Sequence, residues 1–254
     1  MQFRVYGLLV GLGIAAAWEA SLRLARRRGV GEKIVNDLAG WVILGGIIGA
    51  RLYHVIDYWQ RYYANNPIKV LFVWEGGLGI WGAVLGGLLT LVIYEWRYKK
   101  QIKGDWLGLS DLILFGVPLG QAIGRWGNFV NNELYGRPTS LPWGIKVPGI
   151  EGRVHPLFLY ESVLDLLLFG GLVWLVKKKV KKGVISGGYL IGYGLIRLIL
   201  EGMRPDGVVW KWQGVAVAQI VAMVAILTGV CLVSRRKPSR TYLSPTSRTI
   251  RSRL

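Results

Sequence analysis

Cysteine is almost missing from this chain. The single Cys231 allows no intrachain disulfide, so no covalent framework holds the fold. Histidine occurs only as His54 and His155, about a hundred residues apart. Neither has a helical His/Glu ligand spacing beside it, so no metal site is expected. Walker-type and dinucleotide glycine motifs are missing too, and with them the usual nucleotide and cofactor readings; no cofactor is expected. No internal repeat is evident, which leaves little support for an inverted-repeat transporter. Acidic residues are scarce, 14 against 32 Lys and Arg, for a formal net charge of +18.

What is present explains that charge. Of the 254 residues 52% are hydrophobic, and 12 are tryptophan. A soluble chain this basic would suggest nucleic acid. Here, however, the basic residues form short blocks between long apolar runs, a pattern that belongs to membrane topology; no nucleic-acid partner is expected. Seven runs approach the roughly 20 residues of a spanning helix, at about 5–24, 37–57, 78–96, 107–124, 157–176, 184–203 and 213–233. The expected fold is an all-α bundle of seven transmembrane helices. Gly45, Gly46 and Gly49 in the second run, and Gly82, Gly86 and Gly87 in the third, are expected to let helices approach closely.

The basic blocks give an orientation. They follow the first span (Arg26-Arg27-Arg28), the third (Arg97, Lys99, Lys100, Lys103), the fifth (Lys177-Lys178-Lys179) and the seventh (Arg235-Arg236-Lys237). All follow odd-numbered spans, so the positive-inside rule puts the N-terminus outside and the C-terminus in the cytoplasm. The first span carries its charges after the apolar run, the wrong order for a cleaved signal peptide. Residues 1–233 are then one membrane domain, with outer connections at about 58–77 and 125–156. The segment 234–254, rich in Ser, Thr and Arg, is expected to be a disordered cytoplasmic tail.

Four arginines break the topology rule. Arg51, Arg125, Arg197 and Arg204 all fall late in outward-running spans, in the outer half of the bilayer. Ionisable residues there are costly and mark function by default. Tyr193, Arg197, Glu201 and Arg204, spaced four, four and three apart, form one stripe on a helix. An internal pairing of Glu201 with either arginine accounts for part of the stripe, and an excess of arginine remains. Arginine makes planar, bidentate contacts with phosphate oxygens. The outer half of the bilayer is where lipid headgroups sit, so the candidate ligand is an anionic lipid phosphate. Other polar groups at that level are His54, Glu75, His155, Tyr160, Glu161 and Asp165.

The segment Gly124-Arg125-Trp126-Gly127-Asn128-Phe129-Val130-Asn131-Asn132-Glu133-Leu134-Tyr135-Gly136-Arg137 carries amides, a carboxylate, arginines and glycines together. With Pro138, Leu141, Pro142, Trp143 and Gly144 it resembles the signature of the prolipoprotein diacylglyceryl transferase family. Further matches are Tyr6-Gly7-Leu8, Gly49-Ala50-Arg51, Gly76-Gly77, His155-Pro156 with Tyr160-Glu161, and Tyr193 through Arg204. The resemblance implies a seven-span enzyme of the bacterial inner membrane whose active site faces the extracytoplasmic leaflet. Such enzymes move the diacylglyceryl group of phosphatidylglycerol to the lipobox cysteine of a prolipoprotein, forming a thioether and releasing glycerol phosphate. It maps the family's important positions onto Arg125, Arg197, Asn128, Glu133, Gly136, Tyr6, Tyr193, Glu201 and Arg204.

We expect Arg125 and Arg197 to stabilise the leaving phosphate, Arg51 and Arg204 to bind the headgroup or support them, and His155 and Glu201 to be tested as the base. Phosphatidylglycerol contacts are expected from Tyr6, Asn128, Glu133, Gly136 and Tyr193 as well. One departure stands out: family members carry a histidine early in span three where this chain has Trp81, which cannot take up a proton. The alternatives are an anionic-lipid transporter and a non-catalytic lipid-binding membrane protein.

Overall fold

The computed structural model describes residues 2–98 and 105–235, with side chains from residue 5 onward. Most of the expected 234–254 tail, and Lys99, Lys100 and Lys103 of the third basic block, lie outside the described residues. The chain is helical: α1 Gln2–Arg28, α2 Glu32–Tyr58, α3 Ile80–Tyr98, α4 Trp106–Val130, α5 Leu157–Lys177, α6 Val184–Glu201 and α7 Val217–Ser234. Six of these seven helices are long and apolar enough to cross a membrane; α3 is not among them. Its last turns carry Glu95 and Arg97, which lower its apolar content. This is a polytopic helical membrane protein. Leu8, Ile56, Leu88, Leu167, Ile199 and Leu227 are each more than half exposed, as lipid-facing side chains should be.

Several boundaries differ from the sequence expectation, with α1 running on to Arg28 and α2 starting already at Glu32. Helix α2 runs on through a wide turn, Trp59–Tyr63, beyond the expected end at residue 57. Helix α4 continues six residues past the expected 124, to Val130. The glycines at 124 and 127 do not stop it, Gly127 packing inside against a tyrosine; the chain turns away past Val130, through Asn132 and Leu134, both with positive φ (56° and 57°). Helix α7 starts at Val217, after a two-stranded hairpin, β1 Lys211–Trp212 and β2 Val215–Ala216. Gln213 and Gly214 at its tip have φ of 48° and 82°, the paired left-handed conformation that two-residue hairpins favour.

Packing divides the described residues into two compact units, one built from α1 with α4 to α7 and the other from α2 and α3. In the smaller unit α2 and α3 form an antiparallel pair, with Gly45 against Gly86 and Gly49 against Gly82. A Cβ on Gly82 would lie 2.1 Å from the Gly49 carbonyl oxygen, so only glycine permits this approach. The expected packing role of these glycines is what the helices display.

In the larger unit Asp111, fully buried on α4, ties three helices together. Its Oδ1 accepts from the Ser186 amide (2.9 Å) and hydroxyl (2.8 Å), and its Oδ2 from the Gly183 amide (3.0 Å). Those amides are the unsatisfied donors at the start of α6. Arg28 at the end of α1 pairs with the same carboxylate at 3.1 Å. Between α5 and α6, Leu157, Ile196 and Leu200 form a core with Tyr160, Leu164, Leu168 and Met203 against it. That core fixes the faces of α5 and α6 that carry charge.

Candidate active site

A polar column runs through the larger unit where α4, α5 and α6 face one another. Its centre is Glu161 on α5, whose side chain is completely buried. Arg125, in the extra turns of α4, donates from Nη2 to Glu161 Oε1 at 2.6 Å and to the Tyr193 hydroxyl at 3.1 Å. The Tyr193 hydroxyl in turn donates to Glu161 Oε1 at 3.2 Å. From α6, Arg197 Nη1 reaches Glu161 Oε2 at 3.4 Å, and its Nη2 donates to Glu201. Arg204 Nη1 donates to the other oxygen of Glu201 at 3.2 Å. Three arginines and two glutamates thus form one chain of ion pairs, with Glu161 shared by α4 and α6. One helical turn deeper, Tyr189 stacks on Tyr193 (ring planes 5° apart) and donates to Gln121 Oε1 at 3.2 Å.

The arginines are not sealed in. Their side chains keep between 17% and 23% exposure, while both glutamates are buried. Among the described residues, the buried side-chain atoms without a hydrogen-bond partner are Arg125 Nε, Arg204 Nε and both carboxyl oxygens of Asp165. Polar groups buried in this way are nearly always paired, so each exception calls for an explanation. Arg125 and Asp165 lie on helix faces of this column, and Arg204 just past the end of α6. The exposed edges of these guanidinium groups, in excess over the carboxylates, have the chemistry to hold an oxyanion bidentately, as phosphate oxygens prefer.

The segment after α4 closes over one side of the column. Glu133 accepts from Asn128 Nδ2 (3.3 Å) and Asn131 Nδ2 (3.4 Å), and its amide donates to the Asn128 carbonyl (2.8 Å). Asn128 and Glu133 therefore shape the exit from the helix. Gly136 donates its amide to the His155 carbonyl at 2.8 Å, and Arg137 its amide to the Met203 carbonyl at 2.9 Å. Arg137 Nε also donates to the Arg204 carbonyl at 3.2 Å, which anchors the segment to the end of α6. Outside the helices, Asp206 is held below the usual carboxylate range by the ammonium of Lys211, 2.8 Å away, and by Arg137. Tyr6 of α1 lies against Gly127, and Arg125 and Glu133 both act on it electrostatically.

Gly136 has no room for a side chain. A Cβ there would lie 2.7 Å from the His155 Cβ and 3.1 Å from the Met203 carbonyl oxygen. Gly136→Ala should therefore force this strap, residues 131–137, away from His155 and Met203 and destabilise the protein by about 1–3 kcal/mol, the usual range for overpacking. Thermal unfolding in detergent checks this; an unchanged midpoint would refute it.

Two expected participants are engaged by other groups. His155 Nδ1 bonds to the Tyr160 hydroxyl (3.2 Å), which also accepts from Trp143 Nε1 (2.7 Å). That network fastens the 131–156 segment to α5; the His155 imidazole meets Tyr160, not the arginine column. Arg51 belongs to the smaller unit and is 7% exposed. Its five N–H groups all donate to backbone carbonyls, of Val70 (2.8 Å), Gly76 (2.6 Å), Gly77 (3.1 Å), Phe72 (3.1 Å) and Lys69. As placed, it has no donor left for a phosphate and instead pins the 66–77 segment. A cavity of about 400 Å³ beside it is lined by His54, Tyr58, Arg61, Tyr63 and Glu75. Glu201 has both oxygens taken by guanidinium groups and holds Arg197 and Arg204 in place.

Glu161 is the residue sequence reasoning left without a role. It was legible as an acidic residue inside a spanning run, one helical turn before a second one, Asp165.

Comparison with known proteins points the same way. The family model described as prolipoprotein diacylglyceryl transferase matches residues 1–235. A protein of Synechococcus elongatus named phosphatidylglycerol–prolipoprotein diacylglyceryl transferase is 41% identical over 245 residues, covering 91% of this chain and 82% of its own. A Finegoldia magna protein of the same name is 38% identical over 233 residues, covering 91% and 90%. One from Symbiobacterium thermophilum is 40% identical over 243 residues, covering 92% and 88%.

Proposed function

The chain belongs to the prolipoprotein diacylglyceryl transferase family, and from that we propose that it transfers the diacylglyceryl group of phosphatidylglycerol to the lipobox cysteine of a prolipoprotein. The cysteine sulfur attacks the glycerol carbon that bears the phosphate ester. A carbon–sulfur bond forms, the carbon–oxygen bond breaks, and its electron pair leaves on glycerol phosphate. The thiol proton leaves with the phosphate product or to water.

The observation that carries this reading is the buried column of Arg125, Arg197 and Arg204 on Glu161 and Glu201, with guanidinium N–H groups still unpartnered. The phosphodiester binds against Arg125 and Arg197. Both guanidinium groups are fixed before the reaction, so they stabilise the charge that develops on the leaving phosphate without reorganising. Arg204 steadies the far end through Glu201. Tyr193 sets the Arg125 rotamer, while Asn128, Glu133 and Gly136 hold the strap that bounds the site; Tyr6 packs beneath it.

The same field addresses the missing histidine at Trp81. A thiol near three guanidinium groups ionises more readily than its unperturbed pKa of about 8.5, because nearby positive charge favours the thiolate. No dedicated base is then required from His155 or Glu201. The basic blocks after the odd-numbered helices support an extracytoplasmic N-terminus and an active site toward the outer leaflet of a bacterial inner membrane. The partners are phosphatidylglycerol, the prolipoprotein signal peptide with its lipobox, and the bilayer.

The test is direct. Purified protein is incubated with phosphatidylglycerol vesicles and a lipobox peptide, and the peptide mass is followed. A gain of one diacylglyceryl group, abolished by replacing the peptide cysteine with serine, is the expected result. Lipid movement without covalent change would replace this reading with that of a transporter, and lipid binding alone with that of a non-catalytic protein.

A further inference from the structure

Asp165 is the one buried charge-bearing group of the column with no assigned partner. It lies on α5 one turn beyond Glu161, is fully buried, and neither carboxyl oxygen has a hydrogen-bond partner. Taking an unpartnered carboxylate out of water costs far more than taking out the neutral acid. The charged and titratable groups that act on it come from three helices: Arg125 of α4, Glu161 of its own helix, and Arg197, Tyr189 and Tyr193 of α6. The hydrogen bonds of Arg125 and Arg197 go to Glu161, Glu201 and Tyr193, and none goes to Asp165.

The charge of the site depends on this group. Arg125, Arg197 and Arg204 less Glu161 and Glu201 leave a net charge of +1. An ionised Asp165 would bring that to zero. We propose that Asp165 is a positioning residue carried as a neutral acid, which keeps the arginine column one charge positive and so matched to the single negative charge of a phosphodiester. The inference rests on the transferase reading above. It assigns Asp165 no contact with substrate: it acts by leaving Arg125 and Arg197 uncompensated.

The matching variants are Asp165→Asn, an isostere that is always neutral, and Asp165→Leu, neutral and apolar. With phosphatidylglycerol vesicles and a lipobox peptide, both should transfer within about threefold of wild type at neutral pH, well short of the roughly 10²-fold loss that follows removal of a charged donor. Raising the pH ionises Asp165 only in the wild type. The ratio of Asp165→Asn to wild-type activity should therefore climb on the alkaline side, a change that a purely structural residue would not produce. A wild type that is itself inactive refutes the transferase reading and is distinguishable from failure of this one. Active wild type with both variants inactive, or with neither variant accumulating in the membrane, overturns the neutral-acid assignment, as does a pH-independent activity ratio.

Discussion

Arg197→Ala should lower diacylglyceryl transfer by roughly 10²–10³-fold while the protein stays folded in the membrane, and Arg125→Ala should do the same. The size follows from what such a donor does: a fixed cation aimed at charge that appears only in the transition state is worth about 2.7–4 kcal/mol in a water-poor site. Retention of the fold follows from the way the pairs are shared. Without Arg197, Glu161 keeps Arg125 and the Tyr193 hydroxyl, and Glu201 keeps Arg204. Without Arg125, Glu161 keeps Arg197 and Tyr193. Neither truncation strands a buried carboxylate, which is the usual route by which a broken ion pair unfolds a protein. Arg197→Lys separates charge from geometry. It keeps the cation but cannot span Glu161 and Glu201 together, so its activity should fall between those of the alanine variant and the wild type. Peptide lipidation measured by mass, beside the level of each variant in membranes, decides the matter. Wild-type rates in Arg125→Ala or Arg197→Ala would remove the phosphate clamp altogether.

How much of this was legible beforehand depends on the range of the interaction. Hydrophobic runs gave the helices, because burial in lipid acts on consecutive residues and the sequence displays it directly. Arg197, Glu201 and Arg204 were also readable, being neighbours on one helix face at spacings of four and three. The convergence of Arg125 with them was argued from depth alone, and it is Glu161, 36 residues away on another helix, that joins them. Sequence spacing holds no trace of such a pair. Arg51 shows the opposite case. Depth put it with the others, but the five backbone carbonyls that surround it come from an irregular segment whose path no periodicity encodes. The end of α4 was misplaced for a local reason. Each glycine costs a helix only about 1 kcal/mol, which packing offsets where Gly127 meets the Tyr6 ring, 2.8 Å from its Cβ position.

Glu161→Gln is expected to be the most damaging single change in the column, more so than loss of either arginine. The variant is isosteric, so no cavity forms and any effect is electrostatic. An amide oxygen at Oε1 could still accept from Arg125 and Tyr193. The amide nitrogen would then face Arg197 Nη1, donor against donor, at the place where the carboxylate accepted at 3.4 Å. The net charge of the column rises from +1 to +2, and Arg125 loses its only carboxylate while Arg197 keeps Glu201 alone. Breaking one partner of a buried pair in this way costs about 3–5 kcal/mol, a large part of the stability of an ordinary domain. Resistance to unfolding in detergent should drop accordingly, and transfer with it. The decisive comparison is a double-variant cycle. In the Arg197→Ala background the donor clash is gone and one excess charge is removed, so Glu161→Gln should then cost less than it does alone, by about 1 kcal/mol or more. Equal costs in the two backgrounds would mean that Glu161 and Arg197 are not coupled, and the column would lose its shared centre.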